Sequence, residues 1–500
     1  LLSLATTTIG AIDLAIVCVY LLVTTLLGVW LGRGQRDTKD FFLGNNQLPA
    51  WALLLSLVAT ETSVATFLSV PGMAFKESGN FALTQLAIGY IVGRLLVWKI
   101  ILPIHMARQH ATAYASLEDT FGLSTRRLAS VAFLLARTAG DGLRLFLTAL
   151  ALHQACGWSI EICVLVIASV TALYSLAGGV KSVVWNDCLQ FAIYMSGAVV
   201  AAWLIVSRLP GGVGQYLSFV AETGRSQTFI TAWNPADGSI TIWSGLLGGA
   251  ILSLATHGAD HLMVQRYLCA RNKRSAAAAL LLSGPLVLLQ FVLFLAIGAG
   301  IACYFQQFDP ARLTLAGDQA FASFIVEDMG TPLRGLILAA IFAAAMSTLS
   351  SSVNASAGSL LEDLCGSTYR NTSPGHALLL ARAFTLFFTA LQAVVAIGAY
   401  HWLFKSSELS VVESVLAIAG LAAGLMLGLF FLQIVCGSMP APLANVAIVT
   451  GAIAVLTCFA TEVTTKWWLP AISSATTFGV GWLLNAITIT NTPTTQGDSP

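Results

Sequence analysis

The sequence predicts an all-α polytopic membrane protein, and three observations carry that prediction. Of its 500 residues 57% are hydrophobic and only 9% charged, whereas a soluble domain carries about 25% charged residues. Apolar runs of about 20 residues, the length at which a helix crosses a hydrocarbon core, recur from one end of the chain to the other. The nine Cys are scattered without a CxxC pair, which argues against a disulfide framework or a zinc site. A formal net charge of +1 without a basic tract offers nothing to nucleic acid.

The runs give about thirteen spans in a single transmembrane domain over residues 1–500, with the lipid bilayer as solvent. The leading run, Ala11–Leu31, is too long for a signal-peptide core and reads as a retained helix. Pro49–Phe75 follows, interrupted at Ala59-Thr60-Glu61-Thr62-Ser63 and again at Pro71-Gly72. Next come Phe81–His105, Leu128–Cys156, the short Ile160–Leu176, and Ser182–Leu209. Ile242–Gln265 is interrupted at Ser253, at Thr256-His257-Gly258 and at Asp260-His261. Ala276–Tyr304, Leu333–Leu361, Ala377–Ala399, Val411–Val435, Pro440–Thr461 and Trp467–Ile487 complete the set. The polar tail, 490–500, reads as disordered and cytoplasmic, and no soluble domain is expected after it. Asn371-Thr-Ser matches a glycosylation sequon but falls on a loop expected inside.

Placing the loop after the first helix inside puts about twice as many Lys and Arg on the inner side as on the outer. The N-terminus is therefore expected outside, and the C-terminus in the cytoplasm, in a plasma (inner) membrane. The ten middle helices divide into two sets of five, 49–209 and 242–435, between the leading helix 11–31 and the trailing helices 440–487. An odd number of spans reverses orientation, so the halves are expected to be inverted repeats. Each half opens on an interrupted helix, a sequence pointer to a midplane binding site in a secondary transporter.

Four groups within the runs can carry chemistry. Ser347, Thr348, Ser350, Ser351 and Ser352 place a row of hydroxyls on an apolar helix. Such a row suits a small hard cation, which takes oxygen ligands; it also suits a close helix–helix interface. Glu61 lies about 18 Å and Ser347 about 21 Å into helices that enter from outside, both near mid-membrane. Asp187, about 8 Å above an inner helix end, has the depth of Ser351. An intramembrane carboxylate needs a cation or a partner, and Lys181 or a loop Arg is the alternative to an ion. Arg137, Asp141 and Arg144 can pair within their helix, which leaves one guanidinium for an anion such as a solute carboxylate. Glu61 reads either as the partner of a basic group or as a group that takes up and releases a proton. Ser63, Thr66 and Gln85 lie near its depth. His257 and His261 are four apart, but HGADH lacks the Glu of HExxH. No Walker A motif, GxSxG or dinucleotide fingerprint is present, so neither an enzyme nor direct ATP coupling is expected.

Five stretches together resemble the sodium:solute symporter family. They are ATETSVATFLSVPGMAF (59–75), GNFALTQLAIGYIVGRLL (79–96), GGVKSVVWNDCLQ (178–190), HGADHLMVQRYLCARN (257–272) and AAIFAAAMSTLSSSVNASAGSLLEDL (339–364). The resemblance, strongest to bacterial members of proline and sialic-acid type, implies a leucine-transporter-type (LeuT) fold of five plus five inverted helices. It implies alternating access driven by sodium as coupling ion, with a small-molecule solute, no organic cofactor and no obligatory protein partner. Carried over position by position, a first sodium ion would take the carbonyls of Ala59, Thr62 and Ala344 and the hydroxyls of Ser347 and Thr348. A second, found in some members, would take Asp187, Ser347, Ser350 and Ser351, giving two per cycle. Solute contacts match Ser63, Thr66, Phe81, Gln85 and Arg137, with Glu61 beside them. Glu61 stands where sialic-acid-type members have a neutral residue, which leaves the solute open among carboxylates, amino acids and sugar acids. The expected function is sodium-coupled import. The alternatives are a proton-coupled carrier using Glu61, a transporter-like solute sensor, and a passive channel.

Overall fold

The computed structural model describes residues 10–33, 35, 37–107, 111–233, 240–366, 372–402, 411–461 and 463–491. Most of the expected disordered tail and the Asn371 sequon lie outside them. Among the described residues the chain forms helices and no strand, with a single isolated bridge from Leu48 to Ala270. In order these are α1 (Ala11–Leu31), α2 (Thr38–Leu43), α3 (Ala50–Glu61), α4 (Val64–Phe75) and α5 (Leu83–Leu96), which continues through a π-helical stretch into α6 (Leu102–Ala107). Then come α7 (Ala115–Phe121), α8 (Leu123–Cys156), α9 (Ile160–Arg208) and α10 (Gly212–Glu222). A π-helical Trp243–Gly248 leads into α11 (Gly249–Ala259), followed by α12 (His261–Leu268), α13 (Lys273–Phe308), α14 (Gly317–Ser323) and α15 (Leu333–Ser359). The chain ends with α16 (Pro374–Trp402), α17 (Val411–Cys436), α18 (Ala441–Thr461) and α19 (Leu469–Asn491).

Every expected span falls on helix. By length and apolar composition, seven of the described helices can cross a membrane, or eight with the bent α3–α4 pair taken as one span. The expected total of about thirteen is therefore not established by that criterion. The long loops hold helices that hydropathy did not announce: α10, and α14, which packs on α4 where Gly317 meets Gly72. Large exposed apolar side chains such as Trp30, Leu135, Trp203 and Val394 suit a surface turned to lipid.

Three departures from regular helix position the site. α3 and α4 meet at a bend of 64°. At Thr62 and Ser63 the backbone is extended, and the Thr62 hydroxyl turns back onto the Val58 carbonyl at 2.8 Å, the local competition that makes Thr and Ser poor helix interiors. Pro71, by contrast, sits inside α4 without breaking it. α11 and α12 part at Asp260 alone, whose carboxylate accepts from the Leu262 N–H at 2.9 Å as a helix cap. α9 runs for 49 residues, about 74 Å at helical rise, and contains both spans expected between Ile160 and Leu209. It breaks at Gly179, where φ is 51° and ψ −151°, a region open in practice to glycine.

α15 is the most enclosed span, with 94% of its apolar window buried. It packs against α9, α16, α8, α1 and α3. Two apolar cores lie on either side of a polar layer. One takes Val58, Leu143, Tyr90, Tyr194, Val287 and Leu349; the other takes Leu57, Leu134, Val97, Val184, Leu280 and Val353. On α5, α8, α9 and α15 the buried polar residues between these neighbours are Arg94, Arg137 with Asp141, Asp187 with Gln190, and Ser350 to Ser352. The helices thus reach the same polar level from separate directions.

Candidate functional site

The last carbonyls of α3 and the first N–H groups of α4 have no partners within their own helices, as at any helix end. Ser63 does not cap α4 with its side chain. The break therefore offers carbonyl oxygens with the negative end of one helix dipole and N–H groups with the positive end of another. α15 closes on it. Thr348 Oγ1 donates to the Thr60 carbonyl at 3.0 Å and lies 3.5 Å from the Ala344 carbonyl. Ser347 Oγ is fully buried beside it. Across the break, the Gln290 side-chain amide donates to Thr62 Oγ1 at 2.7 Å. Of the first expected oxygen set, Thr348 reaches the end of α3, whose residues include Ala59, with Thr62 just beyond. The direct contact is to Thr60, between those two.

The second expected set contains an unexpected member. Asp187 is fully buried; its Oδ2 accepts from Ser56 Oγ at 2.5 Å and lies 3.5 Å from Thr60 Oγ1. Ser347 also bears on this carboxylate, and Asp187 Oδ1 is unpartnered. Arg266 of α12, itself fully buried, lies against the same group. Its Nη2 is 3.7 Å from Asp187 Oδ2, donates to Thr60 Oγ1 at 3.3 Å and donates to Ser351 Oγ. Ser351 and Thr60 hydroxyls are 3.1 Å apart. Ser350 turns to the Ser347 carbonyl at 3.2 Å. Lys181, the other expected partner of Asp187, pairs with Asp40 at 2.5 Å instead.

A cavity of about 140 Å³ opens beside the break. Glu61, Ser63, Thr66 and Arg137 line it; Phe81 and Gln85 do not. The amide of Gln85 donates to the Ala82 and Ile240 carbonyls at 3.3 and 3.1 Å, and the Phe81 N–H to the Gln227 carbonyl at 3.0 Å. Glu61 is ion-paired with Arg94 of α5, and His257 Nε2 lies 3.2 Å from Arg94 Nη2 and 3.7 Å from the Glu61 carboxylate. Arg137 is not the leftover cation that pairing within α8 leaves: Asp260, at the α11–α12 break, takes it, and Asp141 lies 3.6 Å away. Asp141 pairs closely with Arg144. His261 faces elsewhere, accepting from the Ala113 N–H at 3.2 Å among the rings of Tyr114 and Phe133.

Sequence reasoning missed Arg94, His257 and Arg266 as site residues. Arg266 carried a signal: it lies in the second interrupted span's continuation, but near an inner end where a loop cation looks the same. Arg94 stood in an apolar run, where an isolated guanidinium implies a carboxylate partner.

The sequence model of the sodium:solute symporter family matches residues 41–451. The sodium/sialic acid symporter SiaT of Proteus mirabilis is 29% identical over 452 residues, which are 89% of this chain and 89% of that protein. The human sodium/iodide cotransporter is 28% identical over 442 residues, 85% of this chain and 66% of that one. A solved structure of a Na+-coupled sialic acid symporter, in a substrate-bound outward-open state, superposes with a TM-score of 0.85 at 27% identity, covering 96% of this chain and 98% of its own. The expected all-helical fold of leucine-transporter type is met by this likeness.

Proposed function

Because this chain belongs to the sodium:solute symporter family, we propose that it works as a sodium-coupled secondary transporter that imports a small organic solute by alternating access. It is a multi-pass membrane transporter rather than an enzyme. The observation that carries the ion assignment is the contact of Thr348 with the Thr60 carbonyl at the end of α3, beside the buried Ser347 hydroxyl. We assign the coupling ion to the carbonyls of Ala59, Thr62 and Ala344 and the hydroxyls of Ser347 and Thr348. The solute occupies the neighbouring cavity, against Glu61, Ser63, Thr66 and Arg137. The halves 49–209 and 242–435 act as inverted repeats, supported by a broken helix near the start of each. With the N-terminus outside and the C-terminus in the cytoplasm, the sodium gradient drives entry.

Uptake into proteoliposomes is expected to require an inward sodium gradient. Uptake sustained equally by a proton gradient without sodium would favour the carrier that uses Glu61. Against that alternative, Glu61 is already neutralised by Arg94. Thr348→Ala is expected to raise the sodium concentration for half-maximal uptake about tenfold, the effect of losing one good oxygen contact to a charge, with the unfolding temperature lowered by only a few degrees for the lost bond to the Thr60 carbonyl. An unchanged sodium requirement would remove Thr348 from the site.

The second oxygen set is a different case. Arg266 already places a positive charge on Asp187 and Ser351, and a sodium ion there would be a second cation on one buried carboxylate. We assign no second ion to Asp187, Ser347, Ser350 and Ser351 while Arg266 is in place. Sodium activation is then expected to follow a Hill coefficient of about 1. A coefficient near 2 would show that Arg266 withdraws to admit another ion.

A further inference from the structure

We infer that the transported solute is a small zwitterion, carrying an ammonium and a carboxylate with an uncharged remainder; this rests on the symport reading above. The inference follows from which charges face the cavity and which are hidden behind it. Glu61, at the break of α3, has 18% of its side chain exposed, while its partner Arg94 has 1%. Both the Arg94 and His257 contacts fall on Glu61 Oε2, and neither on Oε1. One wall therefore shows the solute a carboxylate, with its counter-charge behind it. α8 shows the reverse. Arg144 and Arg137 keep 13% and 9% exposure, while their partner Asp141 has none and Asp260 has 5%. That wall presents guanidinium, with the carboxylates withdrawn.

The groups in each wall cancel in pairs, so the walls carry no net charge to be met by a single ion. What they offer is separated charge of both signs. A carboxylate on the solute suits the guanidinium wall, and a sodium ion at the neighbouring site would attract it further. Neither answers Glu61 Oε1. A solute that is only an anion sets a like charge against that carboxylate, and a neutral one leaves the charge that Glu61 shows the cavity answered only from behind, by Arg94. An ammonium group satisfies it. Between the two walls the lining includes Leu83, Leu86 and Phe291, which suits an apolar or otherwise uncharged substituent.

The test is a binding competition on the purified full-length protein, followed by thermal unfolding and calorimetry in sodium chloride and in N-methylglucamine chloride. The probes are the proteinogenic neutral amino acids and glycine betaine, each set beside a carboxylate, an amine and an amide of matched carbon skeleton. At least one zwitterion is expected to stabilise the protein in sodium and to bind ten or more times tighter than its matched carboxylate. Binding of carboxylates or uncharged solutes in preference to every zwitterion would overturn the inference and leave sodium symport standing. Absence of binding by all zwitterions would overturn it as well. Tight binding that is indifferent to sodium would overturn the symport reading instead. Glu61→Gln is expected to abolish the preference for the ammonium. Since it strands Arg94, the double variant Glu61→Gln with Arg94→Gln keeps the wall neutral. It should remain folded, bind the zwitterion at least tenfold more weakly and retain the matched carboxylate. A double variant that still prefers the zwitterion would refute the role of Glu61 and the inference with it.

Discussion

Asp187→Asn is expected to destabilise the protein by about 3–5 kcal/mol, the usual result of removing one partner of a buried ion pair. The substitution preserves size and leaves an acceptor for Ser56. What it removes is the counter-charge of Arg266, which is fully buried and has no second carboxylate in ion-pair range among the described residues. The Ser351 and Thr60 hydroxyls, the Leu262 carbonyl and the Gln265 side-chain oxygen remain, but neutral oxygens alone do not offset a desolvated guanidinium. The double variant Asp187→Asn with Arg266→Gln, which empties the site of both charges, should recover most of the loss. Thermal unfolding of the purified variants in detergent measures both. A single variant as stable as the parent would show that Arg266 draws its compensation from elsewhere.

Asp141→Asn should be of similar severity, for a related reason. This fully buried carboxylate is shared by Arg144, in close contact, and Arg137, at 3.6 Å. Without it, two guanidiniums on one helix face compete for Asp260, which already binds Arg137. A loss of about 3–5 kcal/mol is expected, and Arg144→Gln in the same chain should return most of it. The double variant separates fold from function: it should unfold near the parent temperature while binding solute weakly, because one guanidinium of the wall is gone. Full solute affinity in that variant would mean that Arg144 contributes only to packing.

These expectations also mark what could be read before the fold was known. The hydroxyl row was legible because hydroxyls inside an apolar run have few reasons to be there. Helical depth then placed it level with Glu61 and with Asp187. The break at Thr62-Ser63 was legible for the same local reason, since hydroxyl side chains compete for backbone groups. Partner identity was not. Arg266 is separated from Asp187 by 79 residues, Asp260 from Arg137 by 123, and Arg94 from Glu61 by 33. Nothing in spacing selects among several buried cations at similar depth; only the packing of α5, α8, α9 and α12 does. Pro71 misled in the other direction, because a proline can be tolerated inside a membrane helix, as it is inside α4. Gln85 bonds the Ile240 carbonyl, on a stretch of chain whose course hydropathy does not describe.

The pairing of Asp187 with Arg266 has an electrical consequence. Two opposite charges held together deep in a bilayer form a neutral unit on which the membrane potential does almost no net work. If α12 and α9 stay together through the cycle, the voltage dependence of transport belongs to the sodium ion and to any net charge on the solute. If they part, each unit charge moved across the full field exchanges about 2.3 kcal/mol per 100 mV, and transient currents would appear even without solute. Membrane capacitance thus reports whether this guanidinium moves.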